Sequence, residues 1–600
     1  MRTRDLIIVV VCIVLAAGLL IAAGLQIEPI NRQRQEMKLI MDKPENLPPS
    51  LVFTAAATGA FKGLLVDFLW IRAERLKEEG QFFDARQLAE WITILQPRFA
   101  SVWEFQAWNM AYNISVAIPE TQPEQRWRWV KNGYELLRDE AIDKYKLRDI
   151  GLYHELGRIF QHKIGGISDE AHKYYKLQLA TQMEPLLGSR DFQPELTDEN
   201  NKYFDLLAES PQSWQEIIED PNIVEFITAL KSADERFSDE SVFAENYLSL
   251  REYSGRYNQE AGQVIDKYRG TDTLRKFDIF AKVYKLRNAW KLDPVLMRKV
   301  NQKYGPVDFD DPNTHLPMDW RHADTQAIYW AEKGLEIAIQ DSSRDISSAE
   351  NNADRIVVHG LQNLFRLGNL ITITVERQVA TDDPSKPVQT VKMKEIFLRP
   401  DLRYFKPYND AILKVVKKYD NDEDRGTYET LRNGHRNMLK NAVLLFFQSG
   451  HREQAQKIYN YMKKEYPLPE FDISLVEFAQ KRMLEELQGY GYQDATDQIT
   501  AILREGYYYL AIGDDDAAAG SENNAKLLYE HYKKLSEEED RIALPSFDTL
   551  KLTSMQDFVM DKQFPEYIRL NLFLGRLERD NRETYDLLIA ELKKKSEIEK

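Results

Sequence analysis

The chain has 600 residues, which is enough for several domains or for one elongated repeat array. Its 96 acidic and 80 basic residues give a formal net charge of −16, which opposes attraction to nucleic acid and makes nucleic acid an unexpected partner. The single cysteine, Cys12, excludes an intramolecular disulfide and a cysteine-based metal site.

The first predicted element is the uncharged apolar segment Leu6–Leu25, which is twenty residues long. That length matches a helix crossing the hydrocarbon core of a bilayer. We therefore predict a single-pass anchor over residues 1–27 and a linker over residues 28–48. We expect the N-terminus to be cytoplasmic and the bulk of the chain to be extracytoplasmic, which means periplasmic in a bacterium. A cleaved signal peptide stays open, because small residues end the apolar segment.

A second apolar stretch, Leu51–Ile71, follows the linker and leaves three interpretations open. Lys62 and Asp67 oppose insertion into a bilayer, since charged residues near the centre of a span are costly. The small residues Ala55, Gly59 and Gly63 lie four apart and permit close helix approach in lipid or in water. We favour a buried helix of a soluble domain over a membrane-docked helix or a second span.

The next elements form a predicted helical hairpin, Phe68–Glu79 and Asp84–Leu95. Three residues define this hairpin: Gly80 breaks the first helix, Ala85 is a small residue in the second helix, and Pro97 ends it. About 370 residues later the same spacing returns with Gly450, Ala455 and Pro467, together with Tyr459 four residues after the alanine.

These two hairpins resemble the tetratricopeptide repeat, in which small and large residues alternate so that paired helices fit closely and hairpins stack. Partial copies occur at Tyr153, Gly157 and Phe160, and at Trp103 and Ala107, whose expected partner helix is Pro123–Asp139. Apolar periodicity adds two more expected hairpins, 327–338 with 354–367 and 500–512 with 523–535. The resemblance implies an α-solenoid that holds a peptide or a partner protein, and it implies no catalytic residue.

Two β-branched segments interrupt the helical pattern, Leu370–Gln378 and Val388–Leu398, and turn-forming residues separate them. They predict a β-hairpin that packs on the array or pairs with another chain. We thus expect an all-α, tetratricopeptide-like solenoid with a small β-hairpin insertion, preceded by one transmembrane helix. The expected divisions are a first array (49–303), a connecting loop (304–325), a second array (326–490) with the insertion at 370–398, and a C-terminal helical region (491–600). Within that last region, Gly513–Gly520 is expected to be a flexible loop.

No residue pattern indicates catalysis, a cofactor or a metal site. The histidines His154, His162 and His172 lack the four-residue spacing of a helical zinc site, and the acidic turn that begins at Asp420 lacks the glycine and glutamate of a calcium loop. We therefore expect no cofactor and no enzyme activity.

The favoured function is a membrane-anchored scaffold that binds partner proteins through its array. A self-assembling structural subunit of an envelope complex, with homo-oligomers, and a membrane-bound enzyme remain alternatives. Aromatic residues are preferred both in repeat packing and at interfaces. The residues expected to contact a partner are Trp103, Trp108, Tyr112 and Val375.

Overall fold

The computed structural model shows a mostly helical chain, with one antiparallel pair of strands among the residues that it describes. It describes residues 29, 62–188, 198–307, 311, 313–340, 348–379, 389–420, 425–449, 451–487, 492–538, 543–560, 564 and 566–598. No helix in these ranges is long and apolar enough to span a bilayer. The predicted anchor, Leu6–Leu25, lies outside the described residues.

Helices α1 to α13 precede the connecting segment. They are α1 (Lys62–Glu78), α2 (Phe82–Leu95), α3 (Ala100–Trp108), α4 (Pro123–Glu135), α5 (Ile150–Arg158), α6 (His172–Leu187), α7 (Asp198–Glu209), α8 (Trp214–Ile217), α9 (Pro221–Ala233), α10 (Glu240–Glu252), α11 (Gln259–Tyr268), α12 (Asp272–Asn288) and α13 (Pro294–Tyr304). Helices α3, α4 and α5 continue into π-helical segments, which are Asn109–Ile114 (followed by Ser115–Ala117), Leu136–Lys144 and Ile159–Ile164.

The remaining elements follow the connecting segment. They are α14 (Ala323–Gln340), α15 (Ser348–Leu367), β1 (Asn369–Val379), β2 (Gln389–Arg399), α16 (Phe405–Lys418), α17 (Arg425–Gln448), α18 (Arg452–Glu465), α19 (Leu475–Leu487), α20 (Tyr492–Ile512), α21 (Asp515–Glu538), α22 (Phe547–Met560), α23 (Leu574–Asp580, after a π-helical segment Tyr567–Phe573) and α24 (Arg582–Ile598). Short 3-10 turns lie at Glu235–Phe237, Ser254–Arg256, Leu402–Tyr404 and Pro469–Phe471.

Helical hairpins recur along the chain, so the repeat-like helical fold is confirmed. The pairs α1–α2, α14–α15, α17–α18 and α20–α21 each pack side by side across a short connection. Gly80 makes the first of these turns with a φ of +75°, a conformation that glycine adopts without steric cost. The small positions Ala85 and Ala455 are fully buried, as close helix packing requires.

The first helix covers only residues 62–71 of the expected buried helix Leu51–Ile71 and is buried on one face alone, while residues 51–61 lie outside the described part of the chain. Helix α1 begins at Lys62, and it buries Val66, Leu69 and Ala73 against the rest of the array. Its opposite face leaves large apolar side chains in solvent. The helix is therefore apolar on both faces.

Helix α5 pairs with a distant part of the chain. It packs on α14 and α15, and the side-chain amide of Gln161 in its π-helical extension donates to the carbonyl of Ile356 at 2.9 Å. A Cβ at Gly157 would lie 3.2 Å from the Ala327 carbonyl oxygen, so glycine permits this close approach. Helices α6 to α13 lie between the two partners in the sequence.

The buried side chains form several cores. The largest extends from Trp103 to Ala479 and includes residues on both sides of the connecting segment 304–325. Helices α8 to α12 enclose a separate core rich in aromatic residues, and helices α20 to α24 enclose another. A small core joins α1, α2 and α3.

The predicted β-hairpin is confirmed as β1 and β2, which pair with Asn369 opposite Arg399 and Val379 opposite Gln389. Its base packs on the array as expected, because Leu370 and Ile396 are buried against Ala180 of α6. The guanidinium of Arg399 also lies 3.8 Å from the ring centroid of Tyr508, which connects the hairpin to the C-terminal helices.

Candidate partner-binding groove

A groove of about 780 Å³ lies among helices α20 to α24. Its apolar and small lining residues are Leu503, Gly506, Tyr507, Leu510, Ala518, Ala519, Leu552, Met555, Leu577 and Leu587. Its polar lining residues are Asp515, Glu522, Asp548, Thr549, Lys551, Arg576, Asp580, Asn581, Glu583 and Thr584. The groove thus combines an apolar floor with a polar rim, which is the composition expected of a binding surface.

The floor is held by the C-terminal core. Leu503, Met555 and Leu577 are almost fully buried, so their positions are fixed by packing. Leu587 of α24 also faces the groove but remains 55% exposed. Because burial of an exposed apolar side chain is favourable, a bound segment would gain free energy by covering Leu587.

Close packing of α20 and α21 shapes one wall. A Cβ at Gly506 would lie 3.0 Å from the Ser521 Cβ, so glycine lets the two helices approach. The turn between them contains Gly513, whose φ is +88°. Asp514 begins α21, since its carboxylate accepts a hydrogen bond from the Ala517 N–H at 3.0 Å.

The sequence-based expectation of a flexible loop over Gly513–Gly520 is therefore wrong. Asp515 already belongs to α21, and the residues up to Gly520 continue that helix. The physical reason lies in the local sequence: an aspartate at the helix start, acidic residues in the first turn and three alanines favour a helix.

Arg576 fixes the geometry of the wall opposite α20. Its guanidinium donates to the Leu510 carbonyl at 3.1 Å, pairs with Asp515, and reaches the Asp580 carboxylate at 3.3 Å. Tyr507 similarly ties α20 to α22, because its hydroxyl donates to the Lys551 carbonyl at 3.1 Å. Burial raises the pKa of Tyr507, so the phenol stays neutral and keeps this hydrogen bond.

The rim is negatively charged, with five carboxylates and two cations among the lining residues. Arg576 pairs with Asp515 and Asp580, and Lys551 pairs with Glu522. Within the described part of the chain, neither Asp548 nor Glu583 has an ion-pair partner. These two exposed carboxylates give the groove an excess of negative charge that a cationic ligand would neutralise.

The predicted contact residue Trp103 lies in the core, which corrects that prediction. It is 4% exposed, its indole N–H donates to the Pro97 carbonyl at 2.9 Å, and its ring packs against Tyr145. A side chain so enclosed cannot reach a partner without local unfolding.

Trp108 and Tyr112 are half-buried, and their rings stack with centroids 6.4 Å apart. The Tyr112 hydroxyl donates to the Arg158 carbonyl at 3.3 Å, and the Arg158 guanidinium lies over the ring. Burial raises the pKa of Tyr112, so its hydroxyl remains a donor. A contact role for Trp108 and Tyr112 stays a prediction, as does that of Val375, which lies in β1 opposite Met393 and whose side chain is outside the described residues.

Tyr112 also lines a second cavity, of about 280 Å³, beside a buried ion network. Asp169 accepts hydrogen bonds from Lys163 at 2.5 Å and from Arg126 at 3.1 Å. Burial would raise the pKa of Asp169, but Lys163 and the N–H of Ala171 hold it below its ordinary value. Each cation at this cavity is already paired, so the network is better suited to holding α4 and α5 together than to binding an anion.

The repeat-defining residues are placed at packing positions. Tyr153 and Phe160 are buried in the main core, and Tyr459 donates from its hydroxyl to the Phe471 carbonyl at 3.0 Å. Pro97 and Pro467 follow the ends of α2 and α18. Gly450 lies outside the described residues.

Metal binding has no candidate site in the ranges that the structure describes, since no group of three or more His, Cys, Asp or Glu side chains is arranged to hold an ion.

The sequence did not predict the residues that line the groove. They come from five helices. The sequence indicated only part of this region, because apolar periodicity predicted the hairpin 500–512 with 523–535 and no other element of the groove.

Comparisons with known proteins do not place the chain in a family. No protein-family model matches it, and no curated protein matches it. One matching solved structure is a circular tandem repeat protein with novel repeat topology and enhanced subunit contact surfaces. It is 10% identical, the match covers 91% of this chain and 98% of that one, and the TM-score is 0.15. A TM-score this low carries no argument about fold or function.

Proposed function

We propose that this protein is a membrane-anchored scaffold whose tetratricopeptide-like array holds a partner protein at the membrane surface. Leu6–Leu25 would supply the anchor and the helical hairpins the rigid body. The groove among α20 to α24 would receive the partner. The proposal assigns binding to the chain and assigns it no catalysis and no cofactor.

The observation that carries the proposal is the composition of the groove. An exposed Leu587 stands on a buried apolar floor, while Asp548 and Glu583 leave negative charge on the rim. An amphipathic segment with one apolar face and basic flanks would cover the leucine and neutralise these carboxylates. We therefore expect the partner to present a basic amphipathic helix.

This proposal can be tested with a defined probe, a fluorescent amphipathic helix of leucine and lysine, and its leucine–glutamate counterpart as the negative control. Fluorescence anisotropy with the full-length protein in detergent should show saturable binding of the lysine peptide only. The double variant Asp548→Asn/Glu583→Gln should weaken binding roughly threefold to tenfold, since two rim charges contribute about 1 kcal/mol together. Leu587→Ala should weaken it by a similar factor.

A matched control comes from acidic residues at equivalent helix positions outside the groove. Asp84 and Glu260 are exposed and lie in the first turns of α2 and α11, as Asp548 and Glu583 do in α22 and α24. The double variant Asp84→Asn/Glu260→Gln should bind the lysine peptide as the parent does. Equal losses in both double variants would mean that only net charge matters, and the groove would no longer be the binding site.

A further inference from the structure

Helix α1 carries an apolar stripe on its outer face. Leu64, Phe68 and Ile71 are 67%, 62% and 69% exposed, and their spacing places them along one side of the helix. The side that packs on the array carries Val66, Leu69 and Ala73, which are buried. The exposed stripe therefore lies on a different side of α1 from the residues that pack on the array.

The opposite end of the described array differs. Apart from Leu587 in the groove, helix α24 exposes mainly charged residues, and Arg582 at its start pairs with Glu578 of α23 and, at 3.2 Å, with Asp586. A terminal helix of a repeat array needs such a polar outer face to be stable in water. The outer face of α1 instead carries three large apolar side chains in line, and an exposed apolar stripe of this kind marks a surface that an apolar partner or phase covers.

The chain that precedes α1 indicates what covers it. Only 36 residues separate Leu25, the end of the apolar segment, from Lys62, the start of α1. A chain of 36 residues reaches at most about 130 Å when fully extended, and less in any other conformation. If Leu6–Leu25 lies in a bilayer, α1 is held close to the surface of that bilayer at a high effective concentration.

The geometry of the stripe fits shallow contact with lipid. Leu64 to Ile71 covers about 10 Å along the helix axis. Arg75 continues the same line one turn later and is exposed, as expected for a cation at the level of the lipid headgroups. The net charge of −16 opposes electrostatic attraction to anionic lipid, so the contact must be apolar in origin.

We propose that the stripe formed by Leu64, Phe68 and Ile71 lies in the interface of the membrane that anchors the chain. The contact fixes the orientation of the array relative to the bilayer, because a helix resting on the surface restrains the rigid body attached to it. The inference depends on the anchor in the proposed function.

The test places a polarity-sensitive bimane label at Phe68→Cys or Ile71→Cys in a Cys12→Ser background. The full-length protein is reconstituted into phosphatidylcholine vesicles that carry nitroxide-labelled lipid. The control label is at Glu245→Cys, which is exposed on α10 in the separate aromatic core region. We expect the nitroxide lipid to quench the two α1 labels at least threefold more strongly than the control, and aqueous iodide to show the reverse order. Adding phosphatidylglycerol should leave the quenching unchanged.

Two results would overturn the inference. Labels at Phe68 and Ile71 that iodide quenches as strongly as the Glu245 label would show that the stripe faces water. Labels protected from both quenchers would show that protein covers the stripe, from this chain or from a second copy. Vesicle flotation after an alkaline carbonate wash separates these failures from failure of the proposed function, since the wash removes a chain held only by surface contact and leaves a chain with a spanning anchor on the vesicles.

Discussion

Asp324 is a carboxylate placed in the main core. It is 1% exposed, and its Oδ1 accepts a hydrogen bond from the Asn363 amide at 2.9 Å. Burial raises its pKa to about 7, although Asn363, Gln161 and Lys176 favour the charged form. Gly165 makes room for the carboxylate, since a Cβ there would lie 3.1 Å from Asp324 Oδ2.

The raised pKa gives the stability of the fold a defined pH dependence. The folded carboxyl titrates near pH 7 and its ordinary pKa is 3.8, so the folded state binds more protons between these values. The contribution of Asp324 is therefore most favourable below about pH 4 and is lost as the pH rises to about 7. Asp324→Asn, which cannot ionise, should become more stable relative to the parent over that window, by a few kcal/mol in total.

Denaturant titrations at pH 4, 5.5, 7 and 8 would measure the difference in unfolding free energy between parent and variant. Gly434→Ala, at an exposed position on α17, changes no ionisable group and should show a constant difference across the series. A constant difference for Asp324→Asn as well would show that Asp324 ionises normally inside the protein.

Glycines set how closely two helices can approach, and the surroundings of each glycine determine the effect of an alanine at that position. At Gly334 of α14, a Cβ would lie only 2.8 Å from the Cβ of Tyr153 in α5. Gly434 of α17 is exposed and has no heavy atom within 4 Å of the corresponding position. The two glycines have the same helical context but opposite surroundings.

Gly334→Ala should therefore destabilise the protein. Alanine has a better helix propensity by about 1 kcal/mol, but overpacking at a contact this short costs about 1–3 kcal/mol. We expect a net loss of about 1 kcal/mol, visible as a lower thermal midpoint of the array by circular dichroism.

Gly434→Ala is the matched control, with a gain of about 0.5–1 kcal/mol from helix propensity and a lower entropy of the unfolded chain. If both variants were stabilised, the α5–α14 contact would have to be looser than its 2.8 Å spacing indicates.

Single elements were predicted best where the local signal was strong. The hairpin with Gly80 and Ala85 and the β-hairpin near Leu370 followed from turn residues and periodicity, which depend only on neighbours in the sequence. Trp103 was misjudged because a tryptophan on a helix is equally compatible with a core and with an interface. Asp514 has the signature of a helix start, but the glycines that bound Gly513–Gly520 favour a loop when the sequence is considered alone.

Pairing over long distances in the sequence could not be predicted in the same way. The Tyr153–Phe160 segment has the residues of a repeat, but its close partner is α14. Helices α8 to α12, which intervene, fold around their own core, and no periodic signal identifies such an insertion. The groove among α20 to α24 was missed for the same reason, because its lining residues come from separate helices.

The separate core of α8 to α12 predicts that this unit can open independently of the main array. Phe277 lies at its centre, fully buried, with ring centroids of Tyr247 and Phe226 at 4.8 and 5.3 Å. Leu248 packs against both this core and the main one, at the boundary between the two. Cooperative units of this kind exchange amide hydrogens with their own opening free energy.

Phe277→Ala should reduce the opening free energy of the unit by about 3–5 kcal/mol, as removal of a buried phenylalanine side chain does. Hydrogen exchange followed by mass spectrometry should show faster exchange in α9, α10 and α12, by a factor of a hundred or more, while α14 and α15 keep their protection. The reciprocal variant is Phe446→Ala, since Phe446 is buried in the main core beside Phe405. It should speed exchange in α15 to α17 and leave α9 to α12 unchanged. Loss of protection throughout the chain in both variants would mean that the two cores open together, and the aromatic unit would then be part of a single cooperative array.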